Sequence, residues 1–243
     1  YKEGMTAPLN NIGLVYIEEK NYNEALAYNL RALDIYKELG KERSHAYVLT
    51  LNNTGLTYKN LKDTTRAFQY LDRALRLSEQ LGDQPGTSLA YSNIASIYGE
   101  RNDHKRSLEF SFKAYEIDSR IGNRHGVALA SANIGLAYMQ QKEYKKAEEF
   151  LLKGLDVATD VGDATTIAEA ENFLSELYEK TNRPKEALFH YKRFILMRDS
   201  IFNEENTKKQ VRTEMNFEFD KKEAAAKLEQ EKKEAMAAAE KRR

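Results

Sequence analysis

The amino-acid sequence predicts an all-α protein, organised as a solenoid of antiparallel helix pairs and followed by a long charged C-terminal helix. The first reason is self-similarity with a period of about 40 residues, which is typical of stacked supersecondary units. The second is that apolar and small residues recur at helical spacing within each period. The third is that 243 residues contain only 12 glycines and 3 prolines, which permits long helices.

The repeat is defined by columns of residues that keep the same offset from one period to the next. Tyrosines recur at spacings of 42, 40, 40 and 40 residues, at Tyr16, Tyr58, Tyr98, Tyr138 and Tyr178. A small residue stands nine positions after each tyrosine, at Ala25, Ala67, Ser107, Ala147 and Ala187. Another stands three positions before each, at Gly13, Gly55, Ala95, Gly135 and Ser175. The small columns predict close helix–helix approach, and the tyrosines are predicted to pack between successive pairs.

Each period is predicted to contain two helices. In the third, a turn at 83–86 precedes a first helix at 89–99, and the second helix follows at 105–121. Four second helices are followed by a glycine, which accepts the left-handed conformation that ends a helix; these are Gly40, Gly82, Gly122 and Gly162. The array is predicted to occupy 1–202, with repeats at 5–40, 47–82, 87–122, 127–162 and 167–202.

These columns resemble the tetratricopeptide repeat, in which a small residue, a tyrosine and two alanines occupy the same offsets. The resemblance covers residues 1 to about 202. It implies a right-handed superhelix whose first helices line a concave groove for a protein or peptide partner. The usual tryptophan is replaced by Leu9, Leu51, Tyr91 and Ser131. The usual closing proline is absent, and the period exceeds the common ~34 residues.

A column of asparagines also lies in the first helices, at Asn11, Asn53, Asn93 and Asn133. Asparagine is unfavourable inside a helix because its side chain competes for backbone hydrogen bonds. The resemblance places this column in the groove, where an amide can both donate to and accept from a peptide backbone. Neighbouring positions would line the same groove, namely Asn10, Asn52, Ser92 and Ser96, with Lys59 beside them. The alternative is an asparagine ladder that only ties adjacent repeats together.

The C-terminal segment 203–243 changes composition to Glu, Lys, Ala and Gln. Several Glu-before-Lys pairs at four-residue spacing favour a solvated helix. As a coiled coil its seam is poor, because charged residues fall on the positions that should be apolar. The open alternatives are a helical linker and a dimerising helix, with any homodimer contact placed at 215–219.

The segment 198–243 also resembles the charged helix that follows repeat arrays in bacterial multidomain receptors, including sensor histidine kinases. That resemblance implies a membrane span and an output domain beyond this chain, and a periplasmic array. The basic end at 241–243 favours a cytoplasmic flank instead. Residues 1–4 align with predicted turns between repeats, so we expect further repeats upstream.

Composition excludes several classes of function. Lys plus Arg and Asp plus Glu number 38 each, so no polybasic nucleic-acid binder is indicated. There is no cysteine, and no metal, cofactor or catalytic motif is recognisable among the four histidines and the scattered glycines. Membrane attachment is expected only through segments outside this chain.

The sequence therefore predicts a non-catalytic, peptide-binding repeat module. Its expected role is the sensory or regulatory region of a bacterial signalling receptor, which relays through the C-terminal helix. The competing interpretation is a soluble scaffold or adaptor without an output domain. The groove has little charge and lacks the basic pair that clamps a terminal carboxylate in some such domains, so a strongly acidic peptide is not the expected ligand.

Overall fold

The computed structural model describes residues 6–203. Within this range the chain forms helices and no strand, which confirms the all-α prediction. The helices are α1 Thr6–Glu18, α2 Tyr22–Glu38, α3 His45–Asn60, α4 Thr64–Leu81, α5 Gln84–Glu100, α6 His104–Ile121, α7 Arg124–Gln140, α8 Tyr144–Val161 and α9 Ala164–Lys180, with α10 described over 184–203.

The chain divides into two compact units, Tyr1–Phe194 and Ile195–Arg243. The described residues of the second unit, 195–203, are helical. The predictions for the charged segment, including the dimer contact at 215–219, lie outside the described residues beyond Asn203.

The first unit is an α-solenoid that curves toward its first helices. Each helix packs mainly against its neighbours in sequence. Consecutive first helices, α1, α3, α5, α7 and α9, also contact one another, whereas the second helices α2, α4, α6 and α8 do not among the described residues. Because the first helices lie closer together, they form the concave side of the curve.

The predicted glycine stops are confirmed. The φ angles of Gly40, Gly82, Gly122 and Gly162 are 65°, 65°, 71° and 73°, in the left-handed region that costs glycine least. At Gly82 the chain closes in the usual helix-ending pattern, because Asp83 N donates to Ser78 O at 2.9 Å.

The start of α5 differs from the prediction. The segment 83–86 is not a separate turn, because α5 begins at Gln84. The Asp83 carboxylate caps the helix by accepting from Gly86 N at 3.0 Å, and Pro85 fits in the first turn, where no N–H is required. The first helices are therefore 16–17 residues long from α3 onward.

The small columns lie where helices meet most closely. Ala25, Ala67 and Ala147 are fully buried. A Cβ added at Gly55 would lie 2.6 Å from Leu71 Cγ, and one at Gly135 would lie 2.6 Å from Leu151 Cγ. These contacts fix the spacing between the two helices of a repeat.

The tyrosine column packs against the following second helix. Tyr58 and Tyr178 are 5% and 4% exposed, and Tyr16, Tyr98 and Tyr138 are half-buried. A cation covers four of the rings, with Arg66, Arg106, Lys146 and Arg183 lying 4.2–5.2 Å from the ring centroids. This is an energetically favourable arrangement that leaves these rings engaged within the protein.

A buried carboxylate in α9 holds α10 in place through interactions with two basic side chains. Glu171 in α9 is 0% exposed, and its Oε2 lies 2.6 Å from His190 Nδ1 in α10. Its Oε1 forms a close ion pair with Arg193 Nε, also at 2.6 Å, without hydrogen-bond alignment. Removing either partner would leave a buried charge less well compensated.

Candidate functional site

The concave face carries three parallel rows of side chains, one residue from each first helix per row. The first row consists of partly exposed leucines, Leu49, Leu89 and Leu129. The second is the asparagine row, Asn53, Asn93 and Asn133. The third, one helical turn further along, consists of Leu56, Ser96 and Leu136, all half-buried. A row of amides thus lies between two rows that contain aliphatic side chains.

The asparagines differ from one repeat to the next in their hydrogen bonding. Asn53 is 8% exposed, and its Nδ2 donates to Asn10 Oδ1 at 3.1 Å. This bond connects α3 to α1 and matches the ladder alternative at one junction. Asn11, at the open first repeat, is exposed. Asn53 and Asn10 therefore satisfy each other, at least in part, before any ligand arrives.

Asn52 corrects the groove prediction. Its side chain is 0% exposed, with Nδ2 3.3 Å from Val48 O and 3.4 Å from Gly86 O. Because the start of α5 lies against it, no ligand can reach this amide. Asn52 connects adjacent repeats and does not line an open surface.

Asn93 and Asn133 are in a different situation. Both are half-buried on the concave face. Within residues 6–203, neither side chain has a hydrogen-bond partner, although each amide offers two donors and an acceptor. Ser92 beside them is also half-buried. These two amides are accessible polar groups of the central repeats that make no hydrogen bond within the described residues.

A charged cluster connects α3 to α5 at one edge of the rows. Lys59 Nζ donates to Ser96 Oγ at 2.8 Å and lies 3.2 Å from Glu100 Oε1. Lys62 Nζ lies 3.3 Å from the other carboxylate oxygen. Burial acts to raise the pKa of Glu100, but the two ammonium groups outweigh it and hold that pKa below its ordinary value.

The α9 end of the concave face carries a carboxylate that faces the open space. Glu169 is solvent-exposed, yet burial by surrounding protein raises its pKa. The charge of Asp163 adds to the rise, and the charge of Lys59 opposes it. Since α3 and α9 do not contact each other among the described helices, the charge of Lys59 acts on Glu169 across the concave space.

Sequence reasoning missed Glu100 and Glu169 as groove residues. Both could have been found from the period, because a residue about 40 positions on occupies the next repeat. Glu100 stands 41 positions after Lys59, and Glu169 occupies the leucine column 40 positions after Leu129. The aligned columns therefore carry the information that places both residues on the concave face.

The described part of the chain shows no arrangement of side chains for metal binding and no helix suited to spanning a membrane. Residues 6–203 contain no cluster of three or more histidine or acidic side chains arranged to hold a metal ion. None of their helices combines the length and apolar character needed to cross a bilayer. The concave face offers amides, hydroxyls, aliphatic surface and a few charges, which are the groups of a binding surface.

Comparison with solved structures supports the same fold. BtubC from P. vanneervenii aligns with a TM-score of 0.58 at 20% identity, over 67% of this chain and 66% of that one. Aspartyl phosphate phosphatase F from Bacillus subtilis aligns with a TM-score of 0.66 at 13% identity, over 79% and 50%. A Rap protein complexed with competence and sporulation factor aligns with a TM-score of 0.64 at 17% identity, over 82% and 65%. The chain thus spans half to two thirds of these proteins.

The family assignment comes from the sequence. No curated protein sequence matches significantly. The profile of the tetratricopeptide repeat matches residues 5–80, 48–120 and 126–195, which is well over half of the chain and includes every column described above. Together with the curved array of helix pairs, this match shows that the chain belongs to the tetratricopeptide repeat family.

Proposed function

We propose that the concave face of α3, α5 and α7 binds an extended peptide segment of a partner protein. The observation that carries this proposal is the state of Asn93 and Asn133, which are accessible and have no hydrogen-bond partner within residues 6–203. An amide that is half-desolvated by its own fold gains more from a ligand hydrogen bond than one in bulk water.

The order of the three rows also suits an extended chain. Alternate side chains of an extended peptide point to opposite sides, so one set faces the leucine rows while the backbone amides face the asparagines. Asparagine contacts to the peptide backbone would give affinity without selecting a particular side chain. The Rap protein solved with a bound factor provides a structural precedent for ligand binding on this fold.

The test separates binding from stability. A peptide is first selected from a random 12-residue phage library and labelled with fluorescein. Its affinity is then measured by fluorescence anisotropy for the parent protein and for Asn93→Ala/Asn133→Ala. We expect a loss of about tenfold or more, since each hydrogen bond contributes roughly 0.5–1.5 kcal/mol. The urea midpoint of this variant should be at or slightly above that of the parent, because no hydrogen bond within the protein is lost and alanine is the better helix former.

Two other variants serve as controls. Asn53→Ala removes the bond to Asn10 and should lower the unfolding free energy by about 1 kcal/mol with a smaller effect on affinity. Gln69→Ala/Glu149→Ala changes two exposed positions of second helices, matches the gain in helix propensity and should leave the affinity unchanged. Unchanged affinity in Asn93→Ala/Asn133→Ala would contradict the groove proposal, and so would failure to enrich any peptide.

We further propose that this module is the sensory or regulatory region of a bacterial signalling protein. The support is the resemblance of 198–243 to receptor linkers. The test is carbonate extraction of source cells, followed by blotting with an antibody to this domain. A band much heavier than 28.0 kDa that stays with the membrane would support a receptor. A soluble band of little more than this mass would instead indicate a scaffold or adaptor.

A further inference from the structure

The three concave rows change their chemistry together when they reach α9. The leucine row Leu49, Leu89, Leu129 continues at Glu169. The asparagine row continues at Phe173, and the third row continues at Glu176. Because these three residues are four and three positions apart, they lie on one face of the helix. The face that is aliphatic and amide-bearing in α3 and α7 is anionic and aromatic in α9.

The charges on the two sides of the concave space are not equally compensated. Lys59 and Lys62 are both paired with Glu100. Within residues 6–203, no lysine, arginine or histidine nitrogen lies within ion-pair distance of Glu169 or Glu176. Glu176 accepts only the amide of Asn172, at 3.3 Å. Within the three rows, the uncompensated charge is therefore negative and lies on α9.

Resting on the peptide-binding function proposed above, we infer that the α9 end of the concave face selects peptides that carry a lysine or arginine. The cation of that side chain lies between the carboxylates of Glu169 and Glu176 and against Phe173. The remainder of the peptide crosses α7 and α5 in contact with Asn133 and Asn93. The partner is thus an extended segment with one basic residue at a fixed position.

The geometry favours a basic side chain over a metal ion. Glu169 and Glu176 are seven residues apart, so their backbone positions are separated by about 10 Å along the helix. Carboxylates at that separation do not converge on one ion, whose oxygen ligands must lie within about 2.6 Å. A lysine or arginine side chain does not need both carboxylates as ligands: it can pair with one and be attracted by the charge of the other at longer range, and the aromatic ring beside them adds a cation–π contact.

The electrostatic environment of Glu169 supports the same assignment. Burial raises the pKa of its carboxyl group, and Asp163 adds to that effect. A cation supplied by the ligand would offset both, because an opposite charge nearby favours the ionised form. Among residues 6–203, the cation that acts on it is Lys59, which belongs to a helix that does not touch α9.

The experiment uses the same 12-residue phage selection, with the parent and Glu169→Gln/Glu176→Gln proteins as parallel targets. We expect peptides from the parent selection to be enriched in lysine or arginine at one aligned position, and this enrichment to be absent from the variant selection. Replacing that basic residue by norleucine should weaken binding to the parent about tenfold in fluorescence anisotropy and should change binding to the double variant less than twofold. Glu116→Gln/Glu149→Gln, which neutralises two exposed residues of second helices, is the matched control and should behave as the parent.

The outcomes separate this inference from the proposed function. If no peptide is enriched on the parent protein, the peptide-binding function itself fails. If peptides bind through Asn93 and Asn133 but show no basic preference, or if norleucine weakens binding equally in the parent and in the double variant, the function stands and the cation assignment is overturned. Thermal melts of each variant verify that the comparison is made between folded proteins.

Discussion

The close approach of the two helices in each repeat predicts opposite effects for the same substitution at two glycines. Replacing glycine by alanine inside a helix stabilises it by about 0.5–1 kcal/mol, because alanine loses less conformational entropy. At Gly99, a new Cβ would meet only Ser107 Oγ, at 3.4 Å, which is an ordinary contact. Gly99→Ala should therefore raise the unfolding free energy by about 0.5 kcal/mol, the smaller value because this residue lies near the end of α5.

At Gly135 the balance is reversed. Its new Cβ would lie 2.6 Å from Leu151 Cγ, 2.7 Å from Cδ2 and 3.1 Å from the Leu151 backbone N. Leu151 is fully buried, so the two helices must separate. Overpacking of this kind costs about 1–3 kcal/mol, which exceeds the helix-propensity gain. We expect Gly135→Ala to lower the unfolding free energy by about 1–2 kcal/mol.

The assay is urea unfolding followed by far-UV circular dichroism, with the slope compared among parent and variants. An unchanged slope is needed, because repeat arrays can lose cooperativity. A shift of about 2–4 °C in Tm per kcal/mol is expected in parallel melts. If Gly135→Ala were as stable as the parent, or if both variants moved in the same direction, the described spacing between α7 and α8 would be wrong.

Three further predictions follow from single side chains. Because the folded protein raises the pKa of Glu169, the parent loses unfolding free energy as the pH rises above the ordinary glutamate pKa of about 4.3. Glu169→Gln should therefore have a higher urea midpoint than the parent at pH ~7, and the difference should vanish below pH ~4. Lys142 adopts φ 62°, so Lys142→Gly should raise Tm by an amount equivalent to about 0.5–1 kcal/mol; an unchanged or lower Tm would contradict this. The Tyr178 hydroxyl donates to Glu148 at 2.8 Å, and burial together with that bond raises the pKa of Tyr178 to about 12. Tyr178→Phe should lower the unfolding free energy by about 1–2 kcal/mol in urea unfolding at pH ~8. In the parent, this contribution should fade as the pH rises from about 10 toward 12.

The repeat architecture could be predicted because its determinants are periodic. The small columns, the tyrosines and the four terminal glycines each recur at nearly constant spacing, and the structure uses them in helix contacts and helix ends. The start of α5 could not be predicted from the period, because proline and glycine, which occupy positions 85 and 86, are common in turns. In the structure, Asp83 caps the helix, and a Cβ at Gly86 would lie 2.7 Å from Val48 Cγ1. Close packing, rather than a turn, accounts for this glycine.

The sequence predicts which columns face the groove, but it does not predict which residue of a column stays accessible to a ligand. Asn52 and Asn53 are adjacent and chemically identical, yet one is closed off by the Gly86 carbonyl and the other pairs with Asn10. Which asparagine remains unsatisfied depends on contacts between residues about 34 to 43 positions apart. Such pairings follow from how one repeat rests on the next, which periodicity alone does not specify.

Peptide binding on the concave face is tested most directly by NMR of the asparagine side-chain amides during titration with the selected peptide. The signals are assigned from single Asn→Ala variants. The side-chain resonances of Asn93 and Asn133 should shift on binding, whereas that of the buried Asn52 should not. Shifts confined to residues of the second helices, with Asn93 and Asn133 unchanged at saturation, would contradict binding on the concave face.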